Sequence, residues 1–175
     1  LARNPLVQRL PSSPDLSMRR LWAPWRMQYL EEPAPAGCFF CAAAASDDCA
    51  AHLVVARDAH AITMLNKYPY GHGHLLVAPL RHLASPEDLM DDEYDGLMRA
   101  VRQAGRVLRS AFIPEGMNLG MNLGRAAGAG VADHCHWHLL PRWNGDTNFM
   151  PVISDVKVMS EHLLATFERV RAHYA

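Results

Sequence analysis

His134-Cys135-His136-Trp137-His138-Leu139-Leu140-Pro141-Arg142 sets three histidines at alternate positions of a stretch that reads as a β-strand. Side chains alternate across a strand, so the three imidazoles are expected on one face, with neighbouring Cα atoms roughly 6.8 Å apart. Cys135, Trp137 and Leu139 then turn to the other face, towards a core, and Pro141 is expected to end the strand by removing a backbone donor. One such histidine is usually a satisfied polar residue, and two are unremarkable among the ten in this chain. Three in register leave two chemistries open: imidazoles holding a metal ion, or a phosphate-handling strand in which one histidine is a nucleophile.

Working outward, Gly116-Met117-Asn118-Leu119-Gly120-Met121-Asn122-Leu123-Gly124 sorts as a second strand. Met117, Leu119, Met121 and Leu123 form its apolar face, and Asn118, Gly120, Asn122 and Gly124 a small polar one. The following loop, Arg125 to Gly130, is glycine-rich, and its backbone N–H groups at Gly128, Ala129 and Gly130 are candidates to cradle an anion. Further upstream, His52 to Arg57 and His60 to Leu65 read as a hairpin. The loop Tyr68-Pro69-Tyr70-Gly71-His72-Gly73 leads to another strand, His74-Leu75-Leu76-Val77-Ala78-Pro79. Ser85-Pro86-Glu87-Asp88 is a helix start, with Ser85 as cap, and Met90, Tyr94, Leu97, Val101, Ala104 and Leu108 carry one long helix to about Ser110. Gly105 inside that helix suggests close packing. Ser160 to His173 reads as a terminal helix with Leu163, Leu164, Phe167 and Val170 on its apolar side. The class is therefore α+β: about five antiparallel strands, one long helix packed on them and a C-terminal helix.

The 175 residues, half of them hydrophobic, suit one domain over residues 18–175, preceded by a proline-containing mobile arm over residues 1–17. Residues 21–30 carry two tryptophans and read as a short packing element. A formal charge of −1, without any block of Lys and Arg, argues against a nucleic-acid polymer or an anionic membrane as partner. No apolar run approaches the ~20 residues that span a bilayer, so a cytoplasmic protein with a small ligand is expected. In a reducing compartment, Cys38-Phe39-Phe40-Cys41 points to metal or redox chemistry sooner than to a disulfide. By spacing alone, Cys38, Cys41, Cys49 and His52 could close a zinc site.

The triad followed by two apolar residues and Pro141-Arg142, together with Gly73-His74-Leu75-Leu76-Val77-Ala78-Pro79, resembles the histidine triad (HIT) superfamily over about residues 38–142. Leu21-Trp22-Ala23-Pro24-Trp25-Arg26-Met27-Gln28-Tyr29-Leu30 and Arg142-Trp143-Asn144-Gly145-Asp146-Thr147-Asn148-Phe149 are similar to the bacterial branch that contains diadenosine tetraphosphate phosphorylases. The resemblance implies the HIT-like fold and a transferase or hydrolase acting on dinucleoside polyphosphates. His136 would be the nucleophile, with its other ring nitrogen held by the His134 backbone carbonyl. His138 and His74 would contact phosphate oxygens, so that no catalytic metal is required. Asn66 would bind ribose, and Asn122 is expected to face the phosphates. Where other branches carry glutamine or serine before the triad, this chain has Ala129 and Gly130, leaving water or inorganic phosphate as acceptor. The resemblance also implies a structural zinc on Cys38, Cys41, His82 and His134, and a homodimer formed through the helix face. Two other functions stay open to these residues: a non-catalytic, zinc-containing nucleotide-binding protein, and a metallohydrolase with its metal at His136 and His138. Nucleoside phosphoramidates and adenylated small molecules are the alternative substrates.

Overall fold

The computed structural model describes residues 37–146 and 159–174. The expected arm, the tryptophan-containing stretch at 21–30 and residues 147–149 lie outside the described residues. The described elements run α1 (Phe39–Ala45), β1 (Val54–Arg57), β2 (Ala61–Leu65), β3 (Leu75–Pro79), α2 (Asp91–Phe112), β4 (Gly116–Met121), β5 (Trp137–Arg142) and α3 (Leu163–Ala172). The strands form one antiparallel sheet in the order β1-β2-β3-β5-β4. None of the described helices is long and apolar enough to cross a membrane.

Both sheet faces are covered, which is why β2 and β3 are buried at every position and read as continuous apolar runs. Leu65, Leu75, Val77 and Leu139 pack on one face against Leu97, Val101, Ala104 and Leu108 of α2 and Phe167 and Val170 of α3. Ile62, Met64, Leu76 and Ala78 pack on the other face with Phe40 and Ala43 of α1. The hairpin turn between β1 and β2 is held by Asp58, whose Oδ1 accepts from the N–H groups of His60 and Ala61, each at 2.8 Å.

Several boundaries differ from the sequence reading. Strand β5 begins at Trp137, so His134 and His136 precede it; Cys135 instead donates its N–H to the Leu83 carbonyl at 2.8 Å. Pro141 does not end the strand. It pairs with Met117 of β4, past the Leu75–Leu139 pair that is the last with β3, where its missing donor takes nothing from that ladder. The long helix does not start at Ser85, whose side chain makes no capping bond: Pro86–Asp88 is a separate 3-10 turn. The helix starts at Asp91, where the Glu93 carboxylate accepts from the Met90 N–H at 2.9 Å. Met90 and Tyr94, expected on the apolar face, are 59% and 45% exposed. The close approach is at Gly96, where a Cβ would meet the His60 side chain at 2.5 Å, and not at Gly105, whose nearest neighbour is Met117 Cε at 4.0 Å. In α3, Leu164 is exposed and Thr166 is buried in its place.

Candidate active site

The candidate site lies on the sheet face that carries α1. His138 projects from it because its β5 neighbour Leu139 belongs to the opposite core, and its register partner is Leu76 of β3. His74 lies one residue before β3, fully buried. His136 stands beside His138, ring centroids 4.8 Å apart. Phe40 of α1 packs against both His134 and His136, at 5.0 and 4.9 Å.

The hydrogen bonds assign a tautomer to each ring, because a carbonyl can only accept and a backbone N–H can only donate. His136 Nδ1 lies 2.8 Å from the His134 carbonyl oxygen, so Nδ1 carries the proton and Nε2 keeps its lone pair. His134 Nε2 donates to the Pro79 carbonyl at 2.9 Å, which leaves the His134 Nδ1 lone pair for other use. Tyr70 donates its backbone N–H to His74 Nδ1 at 3.0 Å, so the His74 proton sits on Nε2 and is given to His138 Nδ1 at 3.0 Å. His138 in turn holds its own proton on Nε2. Burial lowers the pKa values of His134 and His136, and burial with the neighbouring His136 brings His138 down to about 4. Near neutral pH the three are therefore uncharged, His136 with a lone pair on Nε2 and His138 with a proton to donate from its own Nε2.

The triad does not act as one face. His134 turns to a separate cluster in which one donor atom each from Cys38, Cys41, His82 and His134 lie within 4.8 Å of one another. Cys38 Sγ is 3.2 Å and Cys41 Sγ 3.7 Å from His134 Nδ1, and Cys41 Sγ is 3.4 Å from His82 Nδ1. Tetrahedral zinc with ordinary Zn–S and Zn–N bonds would set such S···N distances at about 3.5 Å, so the donor set fits that ion. The outer nitrogens are also engaged: His134 by Pro79, and His82 Nε2 by Asp133 Oδ2 at 3.7 Å. Burial and the adjacent Cys38 push the Cys41 thiol up, a shift that a bound dication would reverse. Cys49 and His52, the local alternative, are not part of this cluster.

Asn66 accepts from the Tyr68 N–H at 2.9 Å, and its Nδ2 lies 3.3 Å from His74 Nδ1; the residue expected to bind ribose thus also braces the His74 ring. Asn122 is part-buried just beyond the end of β4. Of Gly128, Ala129 and Gly130, the residues expected to cradle an anion, the first two are turned to the loop's own backbone. Their N–H groups donate to the Arg125 and Gly124 carbonyls at 3.0 and 3.2 Å, closing the loop on itself. Two contributors escaped the sequence reading. Tyr70, counted only as a loop residue, lies tilted against His74 at 4.7 Å and stacks on His138 at 5.6 Å. Phe40, hidden between the cysteines, had only its place in the Cys-x-x-Cys segment as a signal.

Comparison with known proteins agrees with this geometry. The family model described as HIT domain matches residues 50–145. An AP-4-A phosphorylase of Mycobacterium tuberculosis (strain H37Rv) is 39% identical over 168 residues, covering 90% of this chain and 85% of the relative. A Zn-bound histidine triad family protein from Mycobacterium smegmatis superposes with a TM-score of 0.62 at 25% identity, over 78% of this chain and 92% of that one. A hypothetical histidine triad nucleotide-binding protein from Sulfolobus tokodaii strain7 gives 0.61 at 25% identity, over 78% and 91%. With the family model spanning more than half the chain and a relative matched along most of its length, this chain belongs to the HIT domain family of histidine triad proteins.

Proposed function

We propose that the protein cleaves dinucleoside polyphosphates, diadenosine tetraphosphate first among them, through a covalent nucleotidyl-His136 intermediate with inorganic phosphate as acceptor. The observation that carries this reading is the 2.8 Å bond from His136 Nδ1–H to the His134 carbonyl, which aims an unprotonated Nε2 away from the backbone. That lone pair attacks the α-phosphorus: a P–N bond forms and the bond to the bridging oxygen breaks, its electron pair leaving with the nucleoside polyphosphate. His138 Nε2–H meets the charge that develops there. An oxygen of inorganic phosphate then attacks the same phosphorus, the P–N bond breaks, and His136 regains its lone pair. Charge at each step meets an imidazole N–H, so the reading calls on no catalytic metal. The name carried by the mycobacterial relative supports both substrate and acceptor.

The fit of Cys38, Cys41, His82 and His134 supports a structural zinc, four protein ligands leaving no open position for water. A soluble nucleotide substrate suits a cytoplasmic enzyme. A homodimer is supported by the outer edge of β4, which no other described strand pairs, and by Leu119 on that strand, 50% exposed.

The test is chromatography of the products from diadenosine tetraphosphate, with and without inorganic phosphate. ADP plus ATP, formed only with phosphate and abolished in His136→Asn, is the expected result. AMP plus ATP in water would make the acceptor wrong. Turnover unaffected by His136→Asn would remove the covalent mechanism.

A further inference from the structure

A cavity of about 280 Å³ lies between the loop from Lys67 to Gly73 and the start of α3. Small-molecule sites begin at about 300 Å³, so it has room for one heterocyclic base and not for a polyphosphate besides. Its walls are apolar: Leu65, Pro69, Leu163 and Met159, the last 37% exposed. Glu161 lines it as well. The Glu161 Oε1 accepts from Arg169 at 2.6 Å and Oε2 from the Thr166 hydroxyl at 3.1 Å, with His72 Nε2 3.8 Å from that second oxygen. A carboxylate has about four acceptor sites, so Glu161 can still take an amine N–H. Lys67 lines the cavity and is exposed, with its amine 5.2 Å from the centre of the Tyr68 ring. Apolar walls and a carboxylate acceptor suit an uncharged, amine-bearing heterocycle, and the Lys67 cation suits an anionic chain arriving beside it. The link to the catalytic face is His74, which lines this cavity and also places its Nε2 3.0 Å from His138 Nδ1.

We propose that this cavity is the subsite for the second nucleoside of the substrate, the one that departs with the polyphosphate. The inference rests on the nucleotidyl-transfer reading given above. A dinucleoside polyphosphate presents two bases, and Asn66 and the triad serve only the nucleoside next to the attacked phosphorus. In diadenosine tetraphosphate the other base follows three more phosphates and a ribose, a flexible length that turns over the loop past Lys67. The adenine buries its ring against Leu65, Pro69 and Leu163 and gives its exocyclic amine to Glu161. Nothing in this subsite touches the reacting atoms. It contributes binding to the donor substrate alone, and it empties when the nucleoside triphosphate leaves after the P–O bond has broken. The cavity thereby separates a dinucleotide from a mononucleotide that has the same reactive end.

The test compares diadenosine tetraphosphate with adenosine 5′-tetraphosphate at saturating inorganic phosphate. Both carry the same attacked phosphorus, the same first nucleoside and four phosphates; the second nucleoside is the difference. The terminal phosphate of the mononucleotide bears extra negative charge, which Lys67 would favour, so charge does not produce a preference for the dinucleotide. Wild-type kcat/KM should favour the dinucleotide by about tenfold or more, the scale of burying the apolar surface of one base. Leu163→Trp puts an indole into the cavity and should narrow that ratio by about fivefold or more. Both substrates are read on the same protein, so a partly folded variant leaves the ratio intact. Binding is read apart from turnover in His136→Asn, by carbon-13 NMR of the methionine methyl groups. The dinucleotide should shift the Met159 signal, and adenosine 5′-tetraphosphate should leave it in place. A wild type that uses both substrates equally overturns the proposal without any variant having to fold. So does a ratio unmoved in Leu163→Trp, or a Met159 signal that the dinucleotide does not shift. Wild-type protein that turns over neither substrate, while the dinucleotide alone still shifts Met159, would sink the nucleotidyl-transfer reading and leave the cavity as a nucleoside site.

Discussion

His134 belongs to two structures at once. Its ring faces Cys38 and Cys41, while its backbone carbonyl holds the proton of His136. A metal bound by the cluster would therefore fix the peptide that orients His136, the proposed nucleophile, without touching the substrate. The expected outcome is one zinc per chain by elemental analysis. His82→Ala should lose it, because three ligands remain for a tetrahedral ion, and Cys49→Ala should retain it, because Cys49 stands outside the cluster. Loss of the metal should lower Tm by roughly 5–10 °C, the size expected when a few kcal/mol leave a domain of this length. Zinc retained in His82→Ala but lost in Cys49→Ala would restore the local ligand set.

At the scale of elements, small residues in α2 show what a pattern can and cannot convey. Gly96 and Gly105 stand nine residues apart, about half a revolution of the helix at 3.6 residues per turn, and so face opposite ways. Only Gly96 meets a close neighbour, the His60 side chain, at which a Cβ would overlap. Gly96→Ala should gain up to about 1 kcal/mol in helix propensity and lose about 1–3 kcal/mol to overpacking. The expected balance is a net destabilisation of about 1–2 kcal/mol, read from the midpoint of urea unfolding at unchanged slope; a more stable variant would show that His60 yields freely. Hydrophobic period gave away α2, because Leu97, Val101, Ala104 and Leu108 are spaced for one buried stripe, but it is blind to which glycine touches a distant loop. The same limit applies to the histidines. Alternation correctly separates His138 from Trp137 and Leu139. It does not reveal that Cys135 bonds to Leu83, a contact outside the ladder that lets His134 leave the triad for the cysteines. Tyr70 was illegible for a related reason: its contribution is a backbone N–H, which every residue except proline possesses.

For the whole molecule, the open question of surface chemistry is what covers the β4 edge and the α2 face beside it. Met98, Arg102, Gly105, Arg106, Arg109, Met117 and Leu119 line a shallow depression there of about 300 Å³. Charge along α2 is divided, with Asp91, Asp92 and Asp95 in its first turns and Arg99, Arg102, Arg106 and Arg109 beyond them. Two parallel copies would set like charges together. Two copies related by a two-fold axis would run antiparallel, bringing the acidic start of each helix towards the basic end of the other, and would set Met98 near the notch at Gly105. The same axis lets two β4 edges continue one sheet, which removes the unpaired backbone groups of an edge strand. A second copy of this chain, the partner proposed above, would satisfy strand, apolar patch and charge together. Leu119→Glu introduces a carboxylate on an already exposed side chain, so the fold should survive, with unchanged circular dichroism. Its burial against the copy should weaken association by about a hundredfold or more. Light scattering at micromolar concentration should find the wild type dimeric and the variant monomeric. A wild type that stays monomeric at about 100 μM, a concentration at which only association weaker than roughly −5 to −6 kcal/mol would escape notice, would mean that this face is not the dimer interface.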